Sequence, residues 1–291
     1  MFILFCPRYF VTFLSEKLLA LGKVQINLPF LSTFRNFAAM IFYISCTGNT
    51  RWAAERLAEA TNDQLVFIPD VIDGDCTFES QDKDAWIVFP VHGWRPPKIV
   101  REFVSKLTIS TPRISALCTA GDSIGRTMEI LEKDLSKRGI HLEAAYSLIM
   151  PESYVGLPFM DVDTKDREEE KLKKAEEDMK GIINGRGDLH RGPLPWLFSG
   201  PIGAYFVHRL VKDQPFRVET DRCIRCGKCV EACPVKNMSG GKGSAPEWLH
   251  TGRCLTCFAC YHHCPTHAIE FGKRTKHKGQ YFFKRRQKQP T

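Results

Sequence analysis

The chain has 291 residues, of which 43% are hydrophobic and 25% charged, a balance that excludes bulk disorder and leaves room for about two domains. Its net charge of +8 lies at the ends: residues 272–291 carry eight Lys/Arg and no acid, residues 1–39 carry +3, and the span between them carries −3. A body of that sign excludes a broad cationic surface for nucleic acid. No run reaches the ~18–20 apolar residues of a membrane span, and Met1–Phe5 and Val11–Leu14 are interrupted by Arg8, Glu16 and Lys17 with no small-residue cleavage site.

Residues 1–39 carry no usable pattern and form an unassigned extension before a domain that starts at Met40. Either Met40 is the true start, or the extension is a basic, partly amphipathic anchor. From Met40 short apolar runs alternate with amphipathic segments, the α/β signature. Strands are expected at Met40–Ser45, Gln64–Ile68, Ala85–Phe89, Arg113–Leu117 and Leu142–Met150. Helices are expected at Arg51–Ala60, Lys98–Leu107, Ile124–Arg138 and Lys165–Ile183. The near-continuous apolar run of Ala85–Phe89 implies burial on both faces, and Gly139 closes the third helix. The fold class is therefore α/β: a doubly wound parallel five-stranded sheet over residues 40–185.

Residues 186–215 are rich in Gly, Pro and aromatics, and Trp196, Leu197, Phe198, Tyr205 and Phe206 are expected to pack on one or both domains. A small Cys-rich domain spans 216–272. The remainder, 273–291, is a basic tail expected to be mobile.

Eight of the 12 cysteines fall between Cys223 and Cys264. This clustering does not fit a secreted disulfide framework, and a reducing cytoplasm suits it better. They form two runs, Cys223-x2-Cys226-x2-Cys229-x3-Cys233-Pro234 and Cys254-x2-Cys257-x2-Cys260-x3-Cys264-Pro265. Each is the C-x2-C-x2-C-x3-C-P run of bacterial ferredoxins, in which the fourth cysteine ligates the other cluster. The reading is two [4Fe–4S] clusters, one on Cys223, Cys226, Cys229 and Cys264 and one on Cys254, Cys257, Cys260 and Cys233. The fourth cysteine is expected at the start of a short helix that the following proline opens. Zinc is the rival, since C-x2-C pairs also build zinc sites, but zinc does not require the third cysteine or the repeated x3-C-P. With both thiolate sets complete, His262 and His263 are read as surface or supporting residues rather than ligands.

Three loops lie at strand ends of the predicted sheet, where ligands of open α/β sheets bind. Ser45-Cys46-Thr47-Gly48-Asn49-Thr50 can direct backbone N–H groups and hydroxyls at a phosphate on a helix N-terminus. Val91-His92-Gly93-Trp94 follows the third strand, and Thr119-Ala120-Gly121-Asp122 the fourth. Trp94 could stack on a planar ring, or be core. Cys46 is read as a small packing residue, because a phosphate dianion beside it opposes thiolate formation.

With these motifs in place, residues 40–185 resemble a flavodoxin, and the span from Met40 to Phe271 resembles the flavodoxin–ferredoxin fusions of the EFR family, also described as 4Fe-4S flavoproteins. The resemblance implies non-covalent FMN, with phosphate on Ser45, Thr47, Gly48, Asn49 and Thr50. It also implies ring contacts from Trp94 and Thr119–Asp122. The chain departs from the family pattern at Cys46 and His92, and the resemblance covers neither 1–39 nor the basic tail. The expectation is an iron–sulfur flavoprotein that exchanges electrons with redox partner proteins. One alternative is an FMN-dependent reductase of a small organic substrate, with His92 as first candidate proton donor. The other is nucleic-acid or membrane binding by the basic, aromatic tail, and nucleic acid is not expected as a partner.

Overall fold

Along the first strand, side chains alternate between two faces of a sheet. Phe42 and Ile44 enter one apolar layer and Ile41 enters another. A computed structural model describes residues 39–79, 84–110 and 113–283, all of which fall in one unit. In chain order the main sheet and its helices are β1 (Met40–Tyr43), α1 (Asn49–Thr61), β2 (Gln64–Phe67), β3 (Ala85–Pro90), α2 (Lys98–Lys106), β4 (Ile114–Ala120), α3 (Thr127–Ser136), β5 (Leu142–Ile149) and α4 (Lys165–Ile183). The strand order is β2-β1-β3-β4-β5 and all pairings are parallel. This is the flavodoxin-like order, with its switch point between β1 and β3.

The sheet is covered on both faces, as a parallel sheet requires. One face packs Phe42, Ile87, Phe89 and Ala116 against Phe103 of α2 and Leu131 of α3. The other packs Ile41, Val88, Leu117 and Leu148 against Trp52 and Leu57 of α1 and Met179 and Ile182 of α4. The expected boundaries shift by three residues at most, as at the end of β4 and the start of α3. A pair of two-residue strands, Thr77–Phe78 and Thr108–Ile109, was too short to carry a sequence period.

Residues 195–210 are helical with a break at Gly200, whose ψ of −111° precedes Pro201. The expected packing holds for part of this segment. Phe206 is buried and Phe198 packs on Trp94, whereas Trp196 and Tyr205 are about 60% exposed.

The Cys-rich domain contains β6 (Phe216–Val218), α5 (Lys228–Glu231), β7 (Met238–Gly241), β8 (Ser244–Trp248), α6 (Ala259–His262) and β9 (Ile269–Phe271), with β6 paired to β9 and β7 to β8, both antiparallel. Its core is aromatic, built on Phe216, Phe258, Tyr261 and Phe271. The doubled sequence run is a doubled backbone. Left-handed residues recur at Arg225 and Thr256, at Gly227 and Phe258, and at Lys236 and His267, each pair offset by the 31 residues that separate Cys223 from Cys254. Both members of the middle pair, Gly227 and Phe258, are the N-caps of α5 and α6. Each short helix therefore starts before the third cysteine and ends ahead of the fourth, correcting the expectation that Cys233 and Cys264 begin a helix.

The two domains share a packed boundary. Leu255 belongs to the same apolar layer as Phe89 and Phe103, with Val235 and Cys257 against it; burying a leucine contributes about 2 kcal/mol. Arg253 makes a two-pronged bridge to Asp73, at 2.7 and 2.8 Å, and Nε2 of His262 lies 2.7 Å from the Ser153 carbonyl.

The tail departs from expectation over residues 273–283. Thr275 and Tyr281 are buried, and Lys278 Nζ donates to the carbonyls of Val155, Leu157 and Met160. Its apolar and hydrogen-bonding residues find partners on both domains, so it packs as a strap. The unassigned extension before Ala39, and Lys284, Arg285, Arg286 and Lys288, lie outside the described residues. Among the described residues no helix is long and apolar enough to cross a membrane.

Candidate functional site

The C-terminal ends of β1, β3, β4 and β5 open into one cavity of about 200 Å³. The three loops singled out in the sequence converge there. Cys46, Thr47, Asn49, Thr50, Val91, His92, Gly93, Trp94, Thr119, Ala120, Gly121 and Asp122 all line it. Ser45 and Gly48 do not. Ser45 Oγ accepts the Gly48 N–H at 3.2 Å, and Gly48 (φ 99°) is covered by Phe283, whose Cβ would lie 2.7 Å from any Cβ added there.

The first of these loops, 45–50, has the donors that an anion needs. Gly48 is the N-cap of α1 and no side chain caps the helix. Among the described residues the N–H groups of Asn49, Thr50 and Arg51 find no backbone acceptor, and the first two residues are buried. Buried, uncapped donors at a helix start are a fit for a phosphate. The hydroxyls are organised around them: Thr50 Oγ1 lies 2.7 Å from Thr119 Oγ1, tying the first loop to the third. Asn49 Nδ2 donates to the Pro151 carbonyl at 3.0 Å.

The second loop is a tight reversal. Gly93 and Trp94 both have φ 56°, and His92 and Arg95 exchange backbone hydrogen bonds of 2.9 and 3.2 Å, the pattern of a two-residue hairpin. A Cβ on Gly93 would overlap the Phe206 ring, so glycine is required by contact as well as by φ. Ser199 of the kinked segment fixes this turn by donating to the Trp94 carbonyl at 2.8 Å and accepting the Arg126 N–H at 2.6 Å. The Trp94 indole donates to Ser123 Oγ at 3.1 Å and packs at 4.7 Å on Phe198. It is therefore held in place, and still lines the cavity. Burial pushes the His92 imidazole down to about 4, so it is neutral near pH 7.

Two parts of the wall were missed in the sequence. One is the loop after β5, with Pro151, Glu152, Ser153 and Tyr154. The rule that placed the other three loops at strand ends also reaches this one, but it carries no glycine-rich motif. The other is Leu255-Thr256-Cys257, from the second cysteine run, together with Phe206. These come from outside the sheet domain, and no local pattern points to them.

The cysteines surround two further small cavities. One is lined by Cys223, Cys226, Cys229 and Cys264, the other by Cys233, Cys254, Cys257 and Cys260. These are the two crossed sets. Backbone N–H groups already point at sulfur: Asn237 to Cys233 at 3.3 Å, Ala268 to Cys264 at 3.1 Å, and Thr256 to Cys254 at 3.4 Å. The first two are equivalent across the internal repeat. Burial pushes the Cys229 thiol up to about 11 and Cys254 to about 12, and holds Cys260 well above the usual range. Such a buried thiol set is stable as thiolate only around a cationic centre. Among the described residues, no three His, Cys, Asp or Glu side chains converge on a single-ion position.

Cys257 belongs to both places. It lines the large cavity and one cysteine ring, and the neighbouring Cys46 together with burial raises its pKa. Cys46 lines the same cavity and packs against the same apolar layer as Cys257, in keeping with a small packing residue. His262 is not on the surface. It is 1% exposed, and its Nδ1 accepts the Tyr281 N–H at 3.1 Å. His263 stacks on Phe282 at 4.5 Å.

The 4Fe–4S dicluster domain family matches residues 216–265, and this part of the chain is an iron–sulfur domain of the dicluster type. No curated protein matches the chain. Among solved structures, it is similar to a flavoprotein from Bacteroides uniformis, with 17% identity over 40% of this chain and 92% of that one and a TM-score of 0.30. It is also similar to the Streptococcus pneumonia TIGR4 flavodoxin, with 15% identity over 50% and 98% of the two chains and a TM-score of 0.29. The two-electron reduced Megasphaera elsdenii flavodoxin matches with 17% identity over 38% and 85% and a TM-score of 0.28. The flavodoxin-like assignment rests on the strand order itself.

Proposed function

We propose that the chain is an iron–sulfur flavoprotein that passes electrons between FMN and two [4Fe–4S] clusters, linking one-electron and two-electron redox partner proteins. The observation that carries this reading is the double membership of Cys257, which lines both the cavity at the strand ends and one of the cysteine rings. A flavin and a cluster held at those two places would be neighbours with one side chain between them.

FMN, when bound, takes up two electrons and releases them singly, while each cluster carries one. The chain's own part is to hold and orient. The uncapped start of α1, with Thr47, Asn49 and Thr50, would hold the phosphate. The loops at 91–94 and 119–122 would hold the ring, with Trp94 braced by Phe198 and Ser123. Cys223, Cys226, Cys229 and Cys264 would hold one cluster, and Cys254, Cys257, Cys260 and Cys233 the other. The resemblance to the EFR family agrees with this arrangement.

Two features give the path an order. The ring with Cys257 lies at the cavity. The other contains Cys226, which is exposed, beside Ile224, which is 62% exposed. That second ring is the natural contact for a protein partner. Anaerobic purification followed by iron, acid-labile sulfide and released-flavin assays tests the reading. About eight iron, eight sulfide and one FMN per chain are expected. Iron and sulfide without FMN would remove the flavin half, and zinc without sulfide would overturn the whole.

A further inference from the structure

Glu152 is one of two carboxyls on the cavity wall. It follows β5 and lines the cavity, and the two halves of its carboxylate have different surroundings. Oε1 accepts the N–H groups of Ser153 at 2.8 Å and Tyr154 at 2.7 Å. Oε2 lies against Gly121, where an added Cβ would collide with it, and no hydrogen bond to it is recorded among the described residues. One oxygen is anchored and the other lies against Gly121, itself a residue of the cavity wall. Burial raises the Glu152 pKa above the ordinary carboxyl value.

The charged groups around it leave its proton affinity open to the cavity's contents. Lys171 favours the ionised form, but its ammonium is already shared between Asp163 at 2.6 Å and the Gly121 carbonyl at 2.7 Å. Asp163, which also pairs with Arg167, disfavours ionisation of Glu152. Across the cavity, His92 is neutral, and Asp122 is the other carboxyl on the wall. Tyr154 is held protonated by burial, with Arg274 as its neighbouring cation.

We propose that Glu152 takes up a proton when the redox group in this cavity is reduced, and releases it on reoxidation. The inference rests on the cavity holding FMN. The physical step is electrostatic. An electron arriving in a cavity of low dielectric adds negative charge beside a carboxylate, and like charge disfavours the ionised form. The first electron from a one-electron donor is then matched by one proton from solvent bound at Oε2, so the cavity gains no net charge at that step; reoxidation returns both. By linkage, protonation of Glu152 raises the potential of its neighbour by the same coupling.

The test is reduced-minus-oxidised infrared difference spectroscopy of the full chain, loaded with flavin and clusters and reduced by dithionite in H2O and D2O. A protonated-carboxyl C=O band should arise on reduction, shift in D2O, vanish in Glu152→Gln and return in Glu152→Asp. The potential of the flavin should also lose part of its pH dependence in Glu152→Gln. A wild-type protein with bound flavin and no such band would overturn the inference and leave the proposed function standing. A band that survives in Glu152→Gln would overturn it as well. Absence of flavin from the purified chain would overturn both. Should Glu152→Gln fail to fold, the wild-type band, its D2O shift and its pH dependence still decide.

Discussion

The Tyr281 hydroxyl donates to Asn49 Oδ1 at 2.6 Å, joining a residue of the C-terminal strap to the buried start of α1. Two residues on, the Phe283 N–H donates to the Thr47 carbonyl at 2.7 Å and its ring lies 5.7 Å from Trp52. The same strap is held by the dicluster domain, since Gln280 Nε2 donates to the carbonyls of Tyr261 and Cys264 at 2.6 and 2.8 Å. Thus one segment fixes the geometry of the phosphate loop from the iron–sulfur side. Removing one such hydrogen bond costs about 1 kcal/mol, so Tyr281→Phe should weaken FMN binding by about fivefold. Truncation after Lys278 should weaken it further. Fluorescence titration of flavin-free protein with FMN reads both, and unchanged affinity in the truncated chain would mean that the strap has no part in the loop's geometry.

The crossed cysteine rings predict which cluster each substitution removes. Cys233 sits in the first run but lines the cavity of the second, and Cys264 the reverse. Cys233→Ser should therefore cost the cluster beside the large cavity and spare the one with exposed Cys226. Iron should fall from about eight to about four per chain in either single variant. The two variants differ in flavin reduction: a dithionite-reduced Cys264→Ser protein keeps the cluster next to the cavity and should still reduce the flavin quickly, while Cys233→Ser should not. Equal loss of flavin reduction in both would argue against the crossed assignment.

The doubly wound sheet was legible because its strands are short, near-continuous apolar runs and its helices are amphipathic with a period near 3.6. Ile99, Phe103, Val104 and Leu107 are expected to be buried together, and they are. The cysteine rings were legible because their spacing repeats. The strap was not legible, because its composition is that of a solvated basic tail. What orders it are single contacts to distant residues, such as Lys278 to the carbonyls of the 155–160 loop. Ser45 and Gly48 show the converse. Their residue types suit a phosphate loop, yet a neighbour from more than 200 residues away in sequence, Phe283, decides that Gly48 faces protein. Cys257 and Phe206 as cavity walls were hidden for the same reason.

Gly93 is constrained twice, by a left-handed backbone and by the Phe206 ring. Gly93→Ala forces either the turn or the ring to move, and each effect costs on the order of 1–3 kcal/mol. The variant should lose that much stability in chemical denaturation. Its cavity should also be altered on the side where the kinked segment closes it, and flavin affinity should fall. Pairing it with Phe206→Ala separates the two causes. The double variant should recover the part of the loss that comes from the ring and keep the part that comes from φ. Full additivity of the two substitutions would show that the ring and the glycine are not coupled.

His92 sets a stability dependence on pH with a definite sign. Its imidazole titrates near 6.5 in the unfolded chain and at about 4 in the folded one. Above pH 6.5 the ring is neutral in both states and contributes nothing to the balance. As pH falls from 6.5 towards 4, the unfolded chain binds a proton that the folded chain refuses, so the folded state loses stability across that window. The shift corresponds to about 3 kcal/mol when fully developed, and somewhat less because the ring borders a cavity rather than close-packed atoms. Replacing His92 by Gln removes the titrating group while keeping a polar side chain of similar reach. Denaturation at pH 7 and pH 4.5 should therefore show a smaller acid loss in His92→Gln than in the natural chain, by about 2 kcal/mol. Parallel loss in the two proteins would place the acid sensitivity elsewhere, in paired carboxylates such as Asp134 beside Arg101, whose pKa is lowered by that guanidinium.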